Sequence, residues 1–245
     1  MSEGEDIPKN VLNGIQAALE RDPWIDQHEY PIKVWAAENR IVLDGLVENI
    51  AAKRAAVHAA RHIADERWPV LDLLRVVAED REDAALRDEV VRTLSQEPVF
   101  QNCTLIAEAG AQRDLIHDGG EEEGRMELRV ENGCVTLSGH VISLTHRRLA
   151  EVLTWWTSGC QRVENHIDIV PPEDDNDNEL SDAIRMVLEK DPLVHAGQIK
   201  VGTAAGVVEL DGSVASDEER HLAVLDAWYV PGVWSVDDRI RVHEH

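Results

Sequence analysis

A chain of 245 residues with 43% hydrophobic content has room for one large domain or two to three small ones. With one Phe, two Tyr and seven Trp, its cores must be built mainly from Val, Leu, Ile and Ala, which suits several small cores. The formal charge of -24 is spread along the whole chain and repels phosphate backbones and anionic headgroups at long range. Nucleic acid is therefore not expected as a partner, while cations and basic protein segments are electrostatically permitted. Met1 to Asn10 carries acidic residues where a signal peptide needs a basic start, and no run approaches the ~20 apolar residues of a membrane span. The expectation is a soluble, cytoplasmic protein without a transmembrane segment, or a periplasmic one if a leader has been removed.

The first elements are a helix around Val11 to Asp22, with Leu12, Ile15 and Leu19 on one face and Pro23 as its stop. Ile32, Val34 and Ala36 then alternate as a strand, Asn39-Arg40 turns the chain, and Ile41 and Leu43 begin a second strand, so a hairpin is predicted. After Gly45, Asn49 is placed to cap an Ala-rich helix through Asp65, and Pro69 opens a last strand, Val70 to Val77. The order is helix, strand, strand, helix, strand.

That order recurs twice. Counting back from Gly45, Gly139 and Gly212, apolar residues fall in one register: Ile32, Met126 and Ile199, then Val34, Leu128 and Val201. Three helices end in an acidic residue followed by Pro23, Pro98 or Pro192. Internal repetition follows, with modules at 1–80, 81–172 and 173–245. The fold class is α+β: three tandem α-β-β-α-β modules, each a three-stranded mixed sheet with two helices packed on one face.

Asn39, Gly133 and Gly206 occupy the hairpin turn, where positive φ favours Gly and then Asn. Gly45, Gly139 and Gly212 are structural too, letting the second strand leave the sheet and enter the second helix. Asn49, Ser143 and Ser216 follow as N-caps, and Ser216 with Glu219 has capping-box spacing. The middle module carries an acidic insertion near 105–125, whose tip, Asp118 to Gly124, reads as a mobile loop. Pro171 to Glu179 reads as a solvated linker. Its Asp/Asn spacing invites a calcium site, but the turn glycine is absent and Arg185 stands where a bidentate Glu would be.

The last module has Gly232-Val233-Trp234-Ser235-Val236 leading into its third strand, and the middle one has Gly159-Cys160-Gln161-Arg162-Val163-Glu164-Asn165-His166-Ile167. This entry, with the glycine between second strand and second helix, resembles the BON domain family. The first module departs from the pattern, because Pro69 replaces the glycine and no Asn follows. The resemblance implies a small non-enzymatic module of envelope and osmotic-stress proteins, linked to phospholipid binding, to contacts with other macromolecules and, in one branch, to potassium binding.

Nothing in the residues points to catalysis, a cofactor or a metal: there is no phosphate loop, dinucleotide fingerprint, zincin motif or local nucleophile-base arrangement. Cys103, Cys134 and Cys160 are odd in number and widely separated, and read as free thiols. His58 and His62 lie four apart on a helix without an evident third ligand, and His243 to His245 reads as a frayed tail. The candidate partner surface lies on the second helices. Basic pairs recur there as Lys53-Arg54, Arg147-Arg148 and Arg220-His221, and aromatic pairs as Trp155-Trp156 and Trp228-Tyr229. The cations could meet an anionic partner or pair with nearby carboxylates. Adjacent helical residues point about 100° apart, so one ring of each aromatic pair should be exposed or packed between modules. The expected function is a multivalent binding or scaffold protein contacting proteins or phospholipid; the alternative is a cation-binding or ionic-strength-responsive protein.

Overall fold

The structure, a computed structural model, describes residues 7–65, 67–110, 112–120 and 124–243. The acidic start at Met1 to Asp6, the loop tip at Glu121 to Glu123 and the end at Glu244-His245 lie outside the described residues. The chain divides into two compact units, Met1–Val77 and Ala78–His245.

In the first unit α1 (Lys9–Leu19) is followed by β1 (Lys33–Ala37), β2 (Arg40–Val47), α2 (Ile50–Ala64) and β3 (Val70–Val76). The sheet order is β1-β2-β3, with β1 antiparallel and β3 parallel to β2. A parallel neighbour requires a crossover, which α2 provides. Both helices lie on one face, where Ile15 and Leu19 meet Ile41, Leu43 and Leu74 in a common core. Helix α2 turns Ala52, Ala55, Ala56, Ala60 and Ala64 inward, and these short side chains allow close approach to α1 and the sheet.

The second unit holds the other two modules. Helix α3 (Asp83–Gln96) leads to β4 (Cys103–Ala109), β5 (Gln112–His117), β6 (Gly124–Glu131), β7 (Cys134–Val141), α4 (Leu144–Trp155) and β8 (Arg162–Ile169). Then come α5 (Asp177–Lys190), β9 (Ile199–Ala204), β10 (Val207–Val214), α6 (Asp217–Tyr229) and β11 (Ser235–Val242). The last module repeats the three-stranded sheet, order β11-β10-β9, whereas the middle sheet has five strands in the order β5-β4-β6-β7-β8. The expectation of three strands is corrected there: the insertion folds as a hairpin whose β4 runs parallel to β6. Cys103, Leu105 and Ala107 are its buried residues on the helix side, in register with Gly124, Met126 and Leu128. Only the chain after His117 has to cross the end of β4. Gly119 makes that crossing, since a Cβ there would stand 2.5 Å from the Asn102 carbonyl carbon.

The hairpin that the three modules share turns each time through two residues of positive φ: Glu38-Asn39, Asn132-Gly133 and Ala205-Gly206. The flanking pairs Ala37–Arg40, Glu131–Cys134 and Ala204–Val207 make these two-residue turns whose twist matches the strands. In the second unit the first helical residue holds the turn. Asp83 accepts from the N–H of Asn132 (2.7 Å) and Gly133 (2.9 Å), and Asp177 from those of Ala205 (2.9 Å) and Gly206 (3.3 Å). Pro8 stands at the corresponding place in the first module. The acidic residue before each helix-ending proline has a task as well: Asp22, Glu97 and Asp191 accept from the N–H of Trp24, Val99 and Leu193.

The repeated glycine has a different role from the exit turn expected of it. Gly45, Gly139 and Gly212 lie inside β2, β7 and β10, two residues before each strand ends. Their φ values are 144°, 111° and 154°, and a Cβ would stand 2.9 Å from Pro31 O, 2.1 Å from Arg125 O and 2.0 Å from Gln198 O. The chain makes its exit further on, at the caps, where Asn49, Ser143 and Ser216 accept from the N–H of Ala52, His146 and Glu219. The capping box is incomplete as such: the Glu219 carboxylate reaches the N–H of Ala215 (3.0 Å) and of His195 (2.8 Å). It thereby ties the start of α6 to the loop before β9.

Gly139→Ala should cost about 3 kcal/mol or more through backbone collision and strain. Gly202→Ala in β9, where a Cβ meets nothing within 4 Å, should fall within about 0.5 kcal/mol of the parent. Urea unfolding of the two variants, followed by circular dichroism, measures the difference.

Candidate functional site

The second helix of every module is bound to its third strand by one polar residue. Asp72, Asn165 and Asp238 occupy equivalent strand positions, and each side-chain oxygen accepts the N–H two residues on, from Leu74 (2.9 Å), Ile167 (3.1 Å) and Ile240 (3.0 Å). The other end of the side chain faces the helix. Lys53 Nζ lies 2.6 Å from Asp72 and donates to Leu74 O, and Arg220 Nε lies 2.8 Å from Asp238. Asn165 Nδ2 donates to the Arg147 carbonyl and to Glu151. The first module, which lacks the Asn in sequence, thus supplies Asp72 for the same two tasks.

Arg148 holds a different kind of contact. It is 3% exposed, its Nε donates to Pro231 O at 3.0 Å, and its Nη2 donates to both oxygens of Asp175 at 2.8 Å. Helix α4 of the middle module is packed against α5 of the last, and Arg148 bridges α4, the connecting segment and the loop after α6. That segment, expected to be a solvated linker, is surface-exposed yet anchored: Glu173 accepts from Leu144 N–H at 2.8 Å, Asp175 takes Arg148, and Asn176 caps α5. Lys190 and Glu97, 2.7 Å apart, add a second tie between the modules.

The aromatic pairs divide as helical geometry requires. Trp155 and Trp228 are buried, while Trp156 and Tyr229 are half-buried and meet edge to face at 6.4 Å between centroids. Such a pair is worth about 0.5–1.5 kcal/mol beyond its area. Of the candidate surface residues, Lys53, Arg148, Trp155 and Trp228 therefore lie inside the protein. Arg54, Arg147, Trp156 and Arg220 are half-buried.

Asp226 carries no sequence signal except by comparison among modules, where Ala59 and Leu153 stand at its position. It is 3% exposed and its Oδ2 has no partner. Burial, reinforced by the nearby charge of Asp191 and a hydrogen bond to it, pushes its pKa up to about 8. Neighbouring Tyr229 is pushed up to about 12, first by burial and then by Asp226. Cys160 is likewise raised to about 12 by burial, which suits an inert thiol; none of the three cysteines is in a disulfide. His58 and His62 stack at 6.3 Å, and burial, then His62 and Arg61, lower the pKa of His58. Among the described residues no three or more His, Cys, Asp or Glu gather as a metal site would need, and no helix is long and apolar enough to cross a membrane.

The sheet faces turned away from the helices distinguish the modules. Equivalent cross-strand rows read Trp35-Val42-Leu71 in the first, Arg129-Thr136-Glu164 in the middle and Gly202-Glu209-Asp237 in the last. Two of these faces are charged and polar, with ion pairs such as Arg162–Glu164 and Arg239–Glu209. The first has an apolar row, Trp35-Val42-Leu71, beside Lys33, Asp44 and Arg75, a difference visible in the sequence only once the strand register is known.

The BON domain model matches residues 12–78, 107–171 and 176–244. The chain belongs to the BON domain family, as three tandem copies of that domain. No curated protein matches it. Two solved structures of CdsD, a structural protein of the type III secretion system of Chlamydia trachomatis, align with it. The C-terminal domain aligns at 14% identity over 97% of this chain and 100% of that one, with a TM-score of 0.25. The second aligns at 15% identity over 96% and 92%, also with a TM-score of 0.25. At that score the likeness carries no argument.

Two outcomes follow. Arg148→Ala should lower the stability of the second unit by about 2–3 kcal/mol, because the Pro231 carbonyl loses a charged donor while half-exposed Asp175 can rehydrate; urea unfolding measures it. Asp226, with its folded pKa above its unfolded one, contributes full stability only in acid. Stability of the second unit should decline as pH rises from about 4 towards about 8. Asp226→Leu should flatten that slope and raise the midpoint at pH 8, as thermal unfolding across the pH range would show.

Proposed function

We propose that this chain is a non-enzymatic, multivalent binding protein that engages protein partners through more than one module. The observation that supports it is the contrast between shared framework and divergent surface. The glycine approach, the caps and the strand-to-helix ties repeat in all three modules, while the outward sheet faces have an apolar row in one and are polar and ionic in two. Modules kept alike inside and different outside suit several distinct weak contacts, which linkage turns into avidity.

A protein partner is favoured over phospholipid by charge. The surplus of 24 negative charges opposes approach to anionic headgroups within a Debye length of about 8 Å at physiological salt. The cations best placed to offset it, Lys53, Arg148 and Arg220, are engaged by Asp72, Asp175 and Asp238. Basic protein surfaces meet attraction instead.

The test is cross-linking capture from the native cell with the whole chain, residues 1–80 and residues 81–245 as baits, together with flotation on neutral and anionic vesicles. A partner held by the whole chain at least tenfold more tightly than by either piece, with no co-flotation at 0.15 M salt, is the expected result. Equal affinity for the whole chain and one piece would remove multivalency. Flotation with anionic vesicles would replace the protein reading with a lipid one. Calorimetric titration with potassium, calcium and magnesium tests the cation alternative in the same preparation.

A further inference from the structure

The outward face of the first sheet carries apolar residues beside a few charged ones. Its rows are Trp35-Val42-Leu71, Lys33-Asp44-Leu73 and Leu46-Arg75, all on the side opposite buried Ile41, Leu43 and Leu74, because side chains alternate along a strand. Leu46 is 49% exposed and Trp35 38%, and Val77, just past the end of β3, is 43% exposed. At the equivalent rows the other two modules carry Arg, Lys, His, Glu, Asp, Ser, Thr and Gly. The core of the first module does not need these residues, since α1 and α2 cover only the other face.

We propose that this face is a self-association surface, on which a second copy of the chain docks sheet to sheet. Three features of the face select a second copy over other occupants. First, Trp35 and Leu46 stand exposed on it, and two sheets of identical twist stack with their inner side chains interdigitated about 10 Å apart. Second, it is close to neutral on a protein of charge -24: Lys33 lies directly opposite Asp44 in the register, and Arg40 pairs with Glu38 at 2.9 Å. Two copies therefore meet with less repulsion here than across the acidic remainder. Third, the charges at the two ends are self-complementary, because the Glu38 side chain stays 82% exposed beside Arg40 and is open to a second cation. Arg75 sits at one end of the strands and the Glu38 turn at the other. An isologous pairing with strands running in opposite directions sets each Arg75 over the other copy's Glu38.

The size of the face sets the strength. Three strands about 4.8 Å apart and some eight residues of about 3.4 Å cover on the order of 400 Å², half of the ~800 Å² per partner of a standard interface. A weak dimer with a Kd in the micromolar range is expected. The inference rests on the multivalent reading in one respect: dimerisation would double the number of binding modules presented. It can nonetheless fail separately, because it needs no external partner.

Sedimentation velocity of the full chain from 2 to 200 μM in 0.5 M NaCl, where mutual repulsion is screened, is the test. The expected result is a reversible monomer–dimer equilibrium whose Kd rises at least tenfold in Leu46→Glu. Leu115→Glu, which alters the exposed apolar residue on edge strand β5, should leave it within twofold. Trp35→Ser serves as a second variant should Leu46→Glu lower the thermal midpoint. A monomer throughout the range would overturn the proposal. So would a dimer indifferent to both Leu46→Glu and Trp35→Ser, or one abolished by Leu115→Glu. Partner capture by residues 81–245 alone would then still report on the multivalent function.

Discussion

The close pass of the second strand over the start of the first is the constraint on which each module rests. At Gly45, Gly139 and Gly212 the backbone comes so near to the Pro31, Arg125 and Gln198 carbonyls that a methyl group would overlap them. That approach pins the hairpin register at the end remote from the turn, while the two residues of positive φ pin it at the turn. With both ends set, the apolar residues of β2, β7 and β10 fall on the helix side. The strand then ends where an Asn or Ser can cap the second helix. Asp72, Asn165 and Asp238 close the circuit, fastening the third strand to its own backbone and to that helix.

Having one framework three times, the chain uses it in two ways. The middle and last modules are joined by groups that a free module would leave to solvent: Arg148 on the Pro231 carbonyl and Asp175, Lys190 on Glu97, and Trp156 against Tyr229. The first forms a unit of its own. Its second helix bears Arg61 and His62 where the others bear the aromatic pairs. Within the last module not every buried group serves stability. Asp226 occupies a position that the other modules fill with Ala59 or Leu153, and a carboxyl buried beside Asp191 keeps its proton at the expense of folding free energy at higher pH.

Much of this was legible in the residues. The repeat, the α-β-β-α-β order, the hairpin turns and the three caps are written in local terms: alternation, positive φ and capping chemistry depend on neighbours a few positions away. The sequence marks the glycine as structural but not the reason for it, because the carbonyl it must avoid lies fourteen residues back in the chain. The Gly and Glu content of the insertion marks only its tip, as a loop, whereas Cys103, Leu105 and Ala107 alternate in register with β6. That register appears only when the sheet exists to receive them.

The same division separates what the sequence by itself determined from what tertiary structure decided. Composition and periodicity settled a fold of small aliphatic cores repeated three times, since those properties follow from each residue's own chemistry. Which cations would be buried and neutralised, which ring of each aromatic pair would meet the other, and which sheet face would be left apolar were decided by packing. A side chain's exposure and electrostatic partner depend on elements that may be eighty residues distant, as Arg148 and Pro231 are.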